Sequence, residues 1–369
     1  MSIKSKFIFI ILISSIIMSY DTKHFKVLAK NENHLKINFD GSSLQVKQSE
    51  QKKILIDQAS GIDDESHLPS HSMFYQISDN EDIVVDYQIN NFYTENNIYI
   101  DNKIKAESKG LYYPESNLFV SEPMVFRGIL VKQITFYPFR LNLISGEIEI
   151  YNNVDINIQE ISSSELRSYS QKKISQAFEP LYKDLIINYE SSTRDDDYQH
   201  PAILYICGGS SLNNSYVQDL IDWRHKTGYI VYTASTSETG SSSSAIKNYI
   251  QDLYESSDNP PEIVGLIGDT GGSYSIDYFT ESWSGYYGPG DMPYALLDGD
   301  DLLPEVFIGR ISVNSSGDLS NVINKTLVYE KATYLTQISN DWYERGSLCG
   351  DPSSSGWSTV ITNEYVGNI

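Results

Sequence analysis

The sequence predicts two folded units: an α/β domain built on a parallel sheet, and an all-β domain that precedes it. The chain has 369 residues, more than the roughly 250–300 residues at which a single hydrophobic core stops growing. Apolar and polar residues alternate in short runs within residues 20–160, whereas residues 201–369 combine continuous apolar runs with helical spacing. Alternation is typical of half-buried strands, and continuous runs between helices are typical of parallel sheets.

Residues 1–19 have the pattern of a secretory signal peptide. Lys4 and Lys6 precede a short apolar run at residues 7–18, which is too short to span a bilayer as a helix. We expect cleavage near Tyr20, with an uncleaved anchor as the alternative, because residues 17–19 lack the usual small residues of a cleavage site. The protein is therefore expected to be secreted or on the cell surface, with no transmembrane span in the mature chain.

Residues 20–160 predict a β-rich domain. Strand patterns occur at 83–87, 98–100, 129–136 and 148–151, and residues 143–147 predict a hairpin turn between the last two. Long helical periods are absent, so we expect an antiparallel sandwich or barrel. Its histidines show no ligand or triad spacing and are expected at the surface: His24, His34, His67 and His71.

Residues 161–200 predict a linker and processing region. They contain a Ser- and Lys-rich stretch, a possible short helix, and a charged run at residues 191–197 that is typical of a solvated segment. Arg194 is a candidate processing site, and Arg167 and Lys172-Lys173 are the alternatives.

Residues 201–369 alternate between strand and helix patterns. Strands are predicted at 202–206, 229–233, 263–267 and 306–311, and helices at 217–226, 245–256 and 319–333. The order predicts a parallel sheet whose chemistry lies at the carboxyl ends of its strands. Gly268-Asp269 and Asp291 are expected to shape turns, and Arg310 to bind an internal carboxylate bidentately.

Charge and motif content exclude several classes of function. The net charge of −22 argues against nucleic-acid binding, which needs clustered Lys and Arg. The chain contains neither a phosphate-binding Gly-x-x-x-x-Gly-Lys loop nor a Gly-x-Ser-x-Gly elbow. Its two cysteines, Cys207 and Cys349, are expected to be buried small hydrophobes, with a mutual disulfide or a functional thiol as alternatives. For Cys349 as a nucleophile, His225 is a possible base.

The order of the motifs in the second half resembles that of one known family. A strand ends in Gly268-Asp269 and is followed by Asp291-x-x-Tyr294, an acidic loop, Pro304-Glu305-x-x-Ile308-Gly309-Arg310 and Lys325-x-x-x-Tyr329-Glu330. These motifs resemble the gingipain-type cysteine peptidases. The first half resembles that family's propeptide through Arg127-Gly128 and through residues 136–140 and 146–151.

The resemblance implies a caspase-like α/β fold and a propeptide that caps the active site until proteolysis removes it. It implies that the catalytic His and Cys lie beyond residue 369, so this chain would carry an incomplete sheet. By position, Asp351 matches the carboxylate that orients the catalytic imidazole. Thr359 matches the specificity-pocket position, where a neutral side chain does not support selectivity for arginine.

An acidic loop offers a candidate calcium site at Asp298, Asp300 and Asp301. Calcium prefers oxygen ligands, but this loop lacks the Gly and the closing Glu of an EF-hand, so a solvated acidic loop is the alternative. The gingipain-type peptidases bind calcium, which implies a structural site of another kind. No cofactor is expected for the chemistry itself.

These observations predict a secreted cysteine-type endopeptidase precursor: a signal peptide (1–19), a propeptide-like domain (20–160), a linker and processing region (161–200) and the N-terminal part of a catalytic domain (201–369). Its expected partners are protein or peptide substrates and its own propeptide. Because residues 364–369 continue a helical pattern without a stop signal, we expect the chain to be part of a longer protein. The alternative is a non-catalytic secreted or surface binding protein on the same scaffold.

Overall fold

The structure is a computed structural model that describes residues 24–31, 33–44, 46–48, 54–56, 61–62, 69–96, 110–164, 169, 171–283, 286–331, 348–350 and 357–367. The described part of the N-terminal domain is built from strands alone. They are β1 (Phe25–Asn31), β2 (His34–Asp40), β3 (Val46–Gln48), β4 (Ile54–Ile56), β5 (Gly61–Ile62), β6 (Pro69–Gln76), β7 (Glu81–Glu95), β8 (Tyr112–Tyr113), β9 (Leu118–Val120), β10 (Met124–Phe126), β11 (Ile129–Phe136), β12 (Phe139–Asn142) and β13 (Ile148–Ser162).

Two antiparallel sheets form this domain. One has the order β1-β2-β13-β12-β8 with β7 also paired to β13, and the other has the order β10-β11-β6-β5 with β9 paired to β11. Their inner faces share one core, in which Ile37 and Ile156 of the first sheet and Ile134 and Phe136 of the second are fully buried. The alternating pattern of β2, with every second residue buried, is the sequence signal of this sandwich.

Two predictions for the N-terminal domain are wrong in detail. The turn at residues 142–147 joins β13 to β12, with Leu141 paired to Ile148, and not to β11. His24 and His71 are not at the surface: they are 6% and 0% exposed, and their rings lie against each other at 4.9 Å between centroids. An aromatic cluster that includes Phe39 encloses them, and no spacing in the sequence marks that burial.

The segment between the domains packs against both of them. It contains α1 (Glu179–Leu185), and Phe178, Tyr182 and Ile186 are buried in a cluster with Phe74. Residues 190–196 are almost entirely exposed, which confirms the prediction of a solvated charged run there.

The C-terminal domain alternates strands and helices. Its elements are β14 (Ala202–Cys207), α2 (Ser215–Lys226), β15 (Ile230–Ser235), α3 (Thr236–Thr239), α4 (Ser243–Ser256), β16 (Ile263–Ile267), β17 (Phe279–Trp283), β18 (Tyr286–Gly290), β19 (Phe307–Ile311), α5 (Ser316–Glu330) and α6 (Trp357–Gly367).

A parallel sheet of order β15-β14-β16-β19 forms the centre of this domain. Helix α4 covers one face through Ile246, Ile250 and Tyr254, and helices α2 and α5 cover the other. All six residues of β14 are buried, as expected for a strand covered on both faces. The predicted fold class, an α/β parallel sheet preceded by an all-β domain, is confirmed.

Side-chain caps set the starts of the helices. Asn214 Oδ1 accepts a hydrogen bond from Tyr216 N at the start of α2. Ser242 and Ser315 cap α4 and α5 in the same way. Within the described ranges, none of the helices combines the length and the apolar character that crossing a membrane requires.

Candidate active site

The parallel register aligns the ends of the four strands at one side of the sheet. Cys207 of β14 pairs with Ser235 of β15 and with Ile267 of β16, and Ile267 pairs with Ile311 of β19. We call this side, where these strands end, the carboxyl edge, and the opposite side, where they begin, the amino edge. In open parallel sheets, ligands and catalytic groups collect outside the carboxyl edge, so the loops there form the candidate site.

Glycines allow the loop after β16 to lie directly on the carboxyl edge. A Cβ atom on Gly208 would lie 2.2 Å from the carbonyl oxygen of Tyr274, and one on Gly268 would lie 2.0 Å from the same oxygen. Gly209 has φ +54° and approaches the carbonyl oxygen of Ser273, a conformation that favours glycine. Only glycine fits between these backbones, so the path of the loop at residues 269–278 is closely determined.

Arg310 fixes the far end of the same loop. Its Nε and Nη2 donate to the two carboxylate oxygens of Asp291 at 2.8 and 2.7 Å, and its guanidinium also donates to the carbonyl oxygens of Ile276 and Asp277. The prediction of a bidentate internal carboxylate for Arg310 is confirmed. Asp277 in turn accepts from Ser243 N at the first residue of α4, so one cation ties the loop to the sheet and the helix.

Asp269 shapes the turn that follows β16. Its Oδ1 accepts from Thr270 N at 2.8 Å, and its Oδ2 accepts from Asn314 Nδ2 at 3.1 Å. Asp269 therefore connects the loop after β16 with the loop after β19, in the structural role expected of it.

Neither cysteine is bonded to the other. Cys207 is fully buried, and burial raises the pKa of its thiol to about 12, so it stays protonated at neutral pH and cannot serve as a nucleophile. Cys349 is free and exposed, so the expectations that it is buried or in a disulfide are wrong. His225 lies in the last turn of α2, at the amino edge and away from Cys207.

Two predicted site residues lie near the C-terminal end. Asp351 is outside the described residues, so its role as the orienting acid stays a prediction. Thr359 lies on α6 with an exposed side chain, and its role as a pocket residue also stays a prediction. The helix contacts Cys349 through Asn363 Nδ2, which donates to the backbone oxygen of Cys349.

The acidic loop of Asp298, Asp300 and Asp301 does not have the geometry of a metal site. The carboxylate of Asp301 accepts from Val125 N and Leu303 N, both at 2.8 Å, and burial raises its pKa to about 6. Among the residues that the structure describes, no three His, Cys, Asp or Glu side chains are placed to hold a metal ion. The loop as arranged does not fit calcium, and calcium binding itself stays a prediction.

Contacts between the two domains gather at the amino edge. Asp301 reaches Val125 of β10, Ser175 donates to the carboxylate of Glu262, and Arg127 donates to the backbone of residues just before β16 and β19. These interdomain hydrogen bonds lie at the opposite end of the strands from the candidate site. Because Asp351 is outside the described residues and the catalytic His and Cys are expected beyond residue 369, capping of the active site by the N-terminal domain stays a prediction.

Sequence reasoning did not identify Arg127 or Glu305 as interdomain residues. Glu305 is fully buried, accepts from Leu297 N and Asp298 N, and has a pKa raised by burial to about 9. Arg127 follows the apolar strand β10 and precedes Gly128, which has φ +78°. The sequence signal that could have identified Arg127 is a charged residue in a tight turn between two apolar strands.

Comparisons with known proteins agree with this two-part organisation. The model of the family "Peptidase family C25" matches residues 196–368, and the model of its propeptide, Propeptide_C25, matches residues 42–195. Gingipain R1 of Porphyromonas gingivalis is 24% identical over 271 residues, which cover 71% of this chain and 26% of the relative. Lys-gingipain of P. gingivalis (strain ATCC 33277) is 25% identical over 252 residues, which cover 65% of this chain and 14% of the relative.

A solved structure, described as a complex of P. gingivalis RgpB pro- and mature domains, aligns with 46% of this chain and 100% of its own chain, at 18% identity and a TM-score of 0.37. That score is too low to compare the folds. The chain spans about a quarter of the length of Gingipain R1 and less of Lys-gingipain.

Proposed function

The chain belongs to peptidase family C25 and carries the propeptide of that family, and from this premise we propose that it is the precursor of a secreted cysteine endopeptidase. The observation that carries the proposal is the order of the two matches, which meet between residues 195 and 196. A propeptide directly followed by its peptidase is the organisation of a zymogen. The signal-peptide pattern of residues 1–19 supports export.

The proposed junction lies in an accessible part of the chain. Arg194 is exposed, and residues 190–196 form the solvated charged run between the two domains. Lys172, an alternative site, is less suitable because its Nζ donates to the carbonyl oxygens of Tyr254 and Glu255. Arg167 lies outside the described residues. We therefore place activation cleavage at or near Arg194.

The proposed chemistry is peptide-bond hydrolysis by a Cys–His dyad that lies beyond residue 369. The thiolate attacks the scissile carbonyl carbon, and the imidazolium donates its proton to the leaving amine as the C–N bond breaks. Water then hydrolyses the thioester, and backbone N–H groups stabilise the oxyanion. The burial of Cys207 supports a nucleophile elsewhere in the protein.

Within this chain, the residues that we propose for the active site lie near the C-terminal end. Asp351 orients the catalytic imidazole, and Thr359 lines the pocket for the substrate side chain. A neutral threonine cannot pair with a guanidinium as a carboxylate does, so this position does not support selectivity for arginine. The proposed chemistry of the Cys–His dyad requires no cofactor.

The test compares the 369-residue chain with the product of the coding sequence that extends past Ile369. Both are assayed with a peptide library and labelled with a thiol-reactive affinity probe. We expect turnover and labelling in the longer product alone. Turnover by the 369-residue chain that Cys349→Ala abolishes would overturn the proposed location of the dyad, and a longer product without a further Cys and His would favour a binding protein.

A further inference from the structure

Arg127 is the most deeply buried cation at the contact between the two domains. It lies in the turn between β10 and β11, is 2% exposed, and has φ +42°, an unusual backbone conformation for a residue with a side chain. The guanidinium leaves the N-terminal domain and enters the C-terminal domain at the amino edge of its sheet. Burying a charged side chain costs free energy unless hydrogen bonds or opposite charges compensate it, so we expect the C-terminal domain to supply partners for this guanidinium.

The oxygens that receive this guanidinium come from the far side of the interface. Nη1 donates to the carbonyl oxygens of Pro261, at 3.0 Å, and Glu305; Nη2 donates to the carbonyl oxygen of Pro260 at 3.2 Å and to Gln199 Oε1 at 3.1 Å. None of these four acceptors belongs to the β-sandwich that carries Arg127.

Aromatic rings and carboxylates complete the surroundings. The guanidinium carbon lies 5.6 Å from the ring centroid of Tyr254 in α4 and 4.9 Å from that of Phe178, distances at which a ring face attracts a cation. Burial lowers the pKa of the Arg127 guanidinium, and neighbours that include the Glu262 carboxylate partly offset this effect. We call the group of Gln199, Tyr254, Pro260, Pro261 and Glu305 the guanidinium socket.

We propose that the C-terminal domain carries a preformed guanidinium-binding site at the amino edge of its sheet, which the N-terminal domain fills with its own Arg127. Its ligand class is an arginine side chain presented at a turn. The site is separate from the candidate active site, which lies at the other end of the same strands. Once the N-terminal domain is removed, an arginine side chain of a peptide can bind in the empty guanidinium socket. Removal of the N-terminal domain is the one step here that rests on the proposed function.

The arrangement distinguishes guanidinium from ammonium. Two terminal nitrogens each donate to two oxygens, from four different residues, and this matches the planar fork of arginine. The ammonium group of a lysine is a compact point charge that cannot span the four acceptors in the same way. The sheet holds the backbone next to these carbonyl oxygens, because Glu262 N donates to the carbonyl oxygen of Ala202 and Phe307 N donates to that of Glu262, so we expect the oxygens to keep their positions without a ligand.

The test removes the Arg127 side chain by substitution in the intact chain and adds a small guanidinium compound that can bind in its place. Arg127→Gly removes the side chain and suits the positive φ. We expect its thermal midpoint to fall by about 5–10 °C. N-ethylguanidinium at millimolar concentrations should bind saturably in calorimetry and raise the folding equilibrium constant about tenfold at ten times its dissociation constant. n-Propylammonium, of similar length, should have little effect.

Two controls separate the socket from general effects of salt or cavities. In the unmodified chain Arg127 fills the socket, so saturable binding should be absent. Arg140→Ala removes a guanidinium that lies over the Tyr112 ring at 4.1 Å within the N-terminal domain, so N-ethylguanidinium should not rescue that variant.

Equal rescue by n-propylammonium, equal rescue of Arg140→Ala, or no saturable binding to Arg127→Gly would overturn the proposal. If Arg127→Gly does not fold on expression, the variant is refolded from urea with and without N-ethylguanidinium to test whether the ligand restores folding. Recovery of native fluorescence only with the ligand supports the socket, and failure under both conditions contradicts it. These measurements do not depend on peptidase activity, so a negative result for the guanidinium socket would not contradict the proposed function, and the reverse also holds.

Discussion

Replacing Gly208 with alanine tests how tightly the carboxyl edge is packed. The added Cβ would lie 2.2 Å from the carbonyl oxygen of Tyr274, 2.5 Å from its carbonyl carbon and 2.9 Å from the carbonyl oxygen of Ser275. All three are backbone atoms, so no side chain can rotate away. Gly208 itself is held because its N–H donates to the carbonyl oxygen of Ile267 at 3.0 Å. Either the loop or the strand end must move, and we expect Gly208→Ala to lower the free energy of unfolding by about 2–3 kcal/mol.

Gly271→Ala is the matched control in the same loop, because a Cβ there meets nothing within 4 Å. We expect this variant to stay within about 0.5 kcal/mol of the unmodified chain. The assay is urea unfolding followed by tryptophan fluorescence, with limited proteolysis of residues 269–278 in the folded state as a second readout. Equal stabilities of the two variants, or unchanged cleavage of the loop in Gly208→Ala, would refute the close contact with Tyr274.

Four further predictions address single contacts. Arg310→Lys should cost about 1–3 kcal/mol in urea unfolding, because lysine cannot reach both oxygens of Asp291; no loss would show that the pair is not formed. Glu305→Gln should be neutral near pH 4.5 and stabilising by about 3 kcal/mol at pH 7, because a folded pKa of about 9 makes the glutamate increasingly unfavourable as pH rises; a loss at pH 7 would instead show that its charge pairs with Arg127. The pKa of His71 is lowered to about 3, so the stability of the unmodified chain relative to His71→Phe should fall by about 1.4 kcal/mol per pH unit below pH 6.5; a difference that stays constant with pH would contradict the burial of a neutral imidazole. Brief trypsin treatment should cut first after Arg194, and Arg194→Gln should delay that cut; a first cut at residues 172–173 would contradict the exposed junction.

The strands of the C-terminal domain could be predicted from the sequence because each contains a short apolar run, although of these four strands β14 alone is buried along its whole length. Residues 263–267 match β16 at both ends, and β14, β15 and β19 differ from their predicted ranges by one or two residues. The helices α2, α4 and α5 begin earlier than predicted, at Ser215, Ser243 and Ser316. Their first turns contain polar residues that cap the helix and face solvent, so they lack the apolar spacing on which the prediction relied.

The interface at the amino edge could not be predicted, for a physical reason. Burial of Arg127 and Glu305 depends on hydrogen-bond partners and rings supplied by other parts of the chain. A local sequence pattern indicates the spacing of apolar residues, but it does not indicate which distant residues will supply hydrogen-bond partners. The carboxylate partner of Arg310 was predictable because a guanidinium that follows a glycine on a strand of the sheet pairs well with an internal carboxylate, although the identity of that partner, Asp291, was known only from the structure.

The two ends of the parallel sheet are held by different kinds of contact, and they respond differently to solution conditions. At the carboxyl edge the loop is fixed by backbone oxygens packed on glycines and by the ion pair of Arg310 with Asp291. At the amino edge the domains meet through Arg127, Asp301 and Glu305, and burial raises the pKa values of both carboxyl groups. A carboxyl group whose folded pKa is raised loses its stabilising contribution as pH rises from its unfolded to its folded pKa, here up to about 6 for Asp301 and about 9 for Glu305. Raising the pH over this range weakens the domain interface and leaves the packing of the glycines unchanged. The contact between the domains can therefore loosen without disturbing the loops of the candidate active site, which is the separation that a removable N-terminal domain requires.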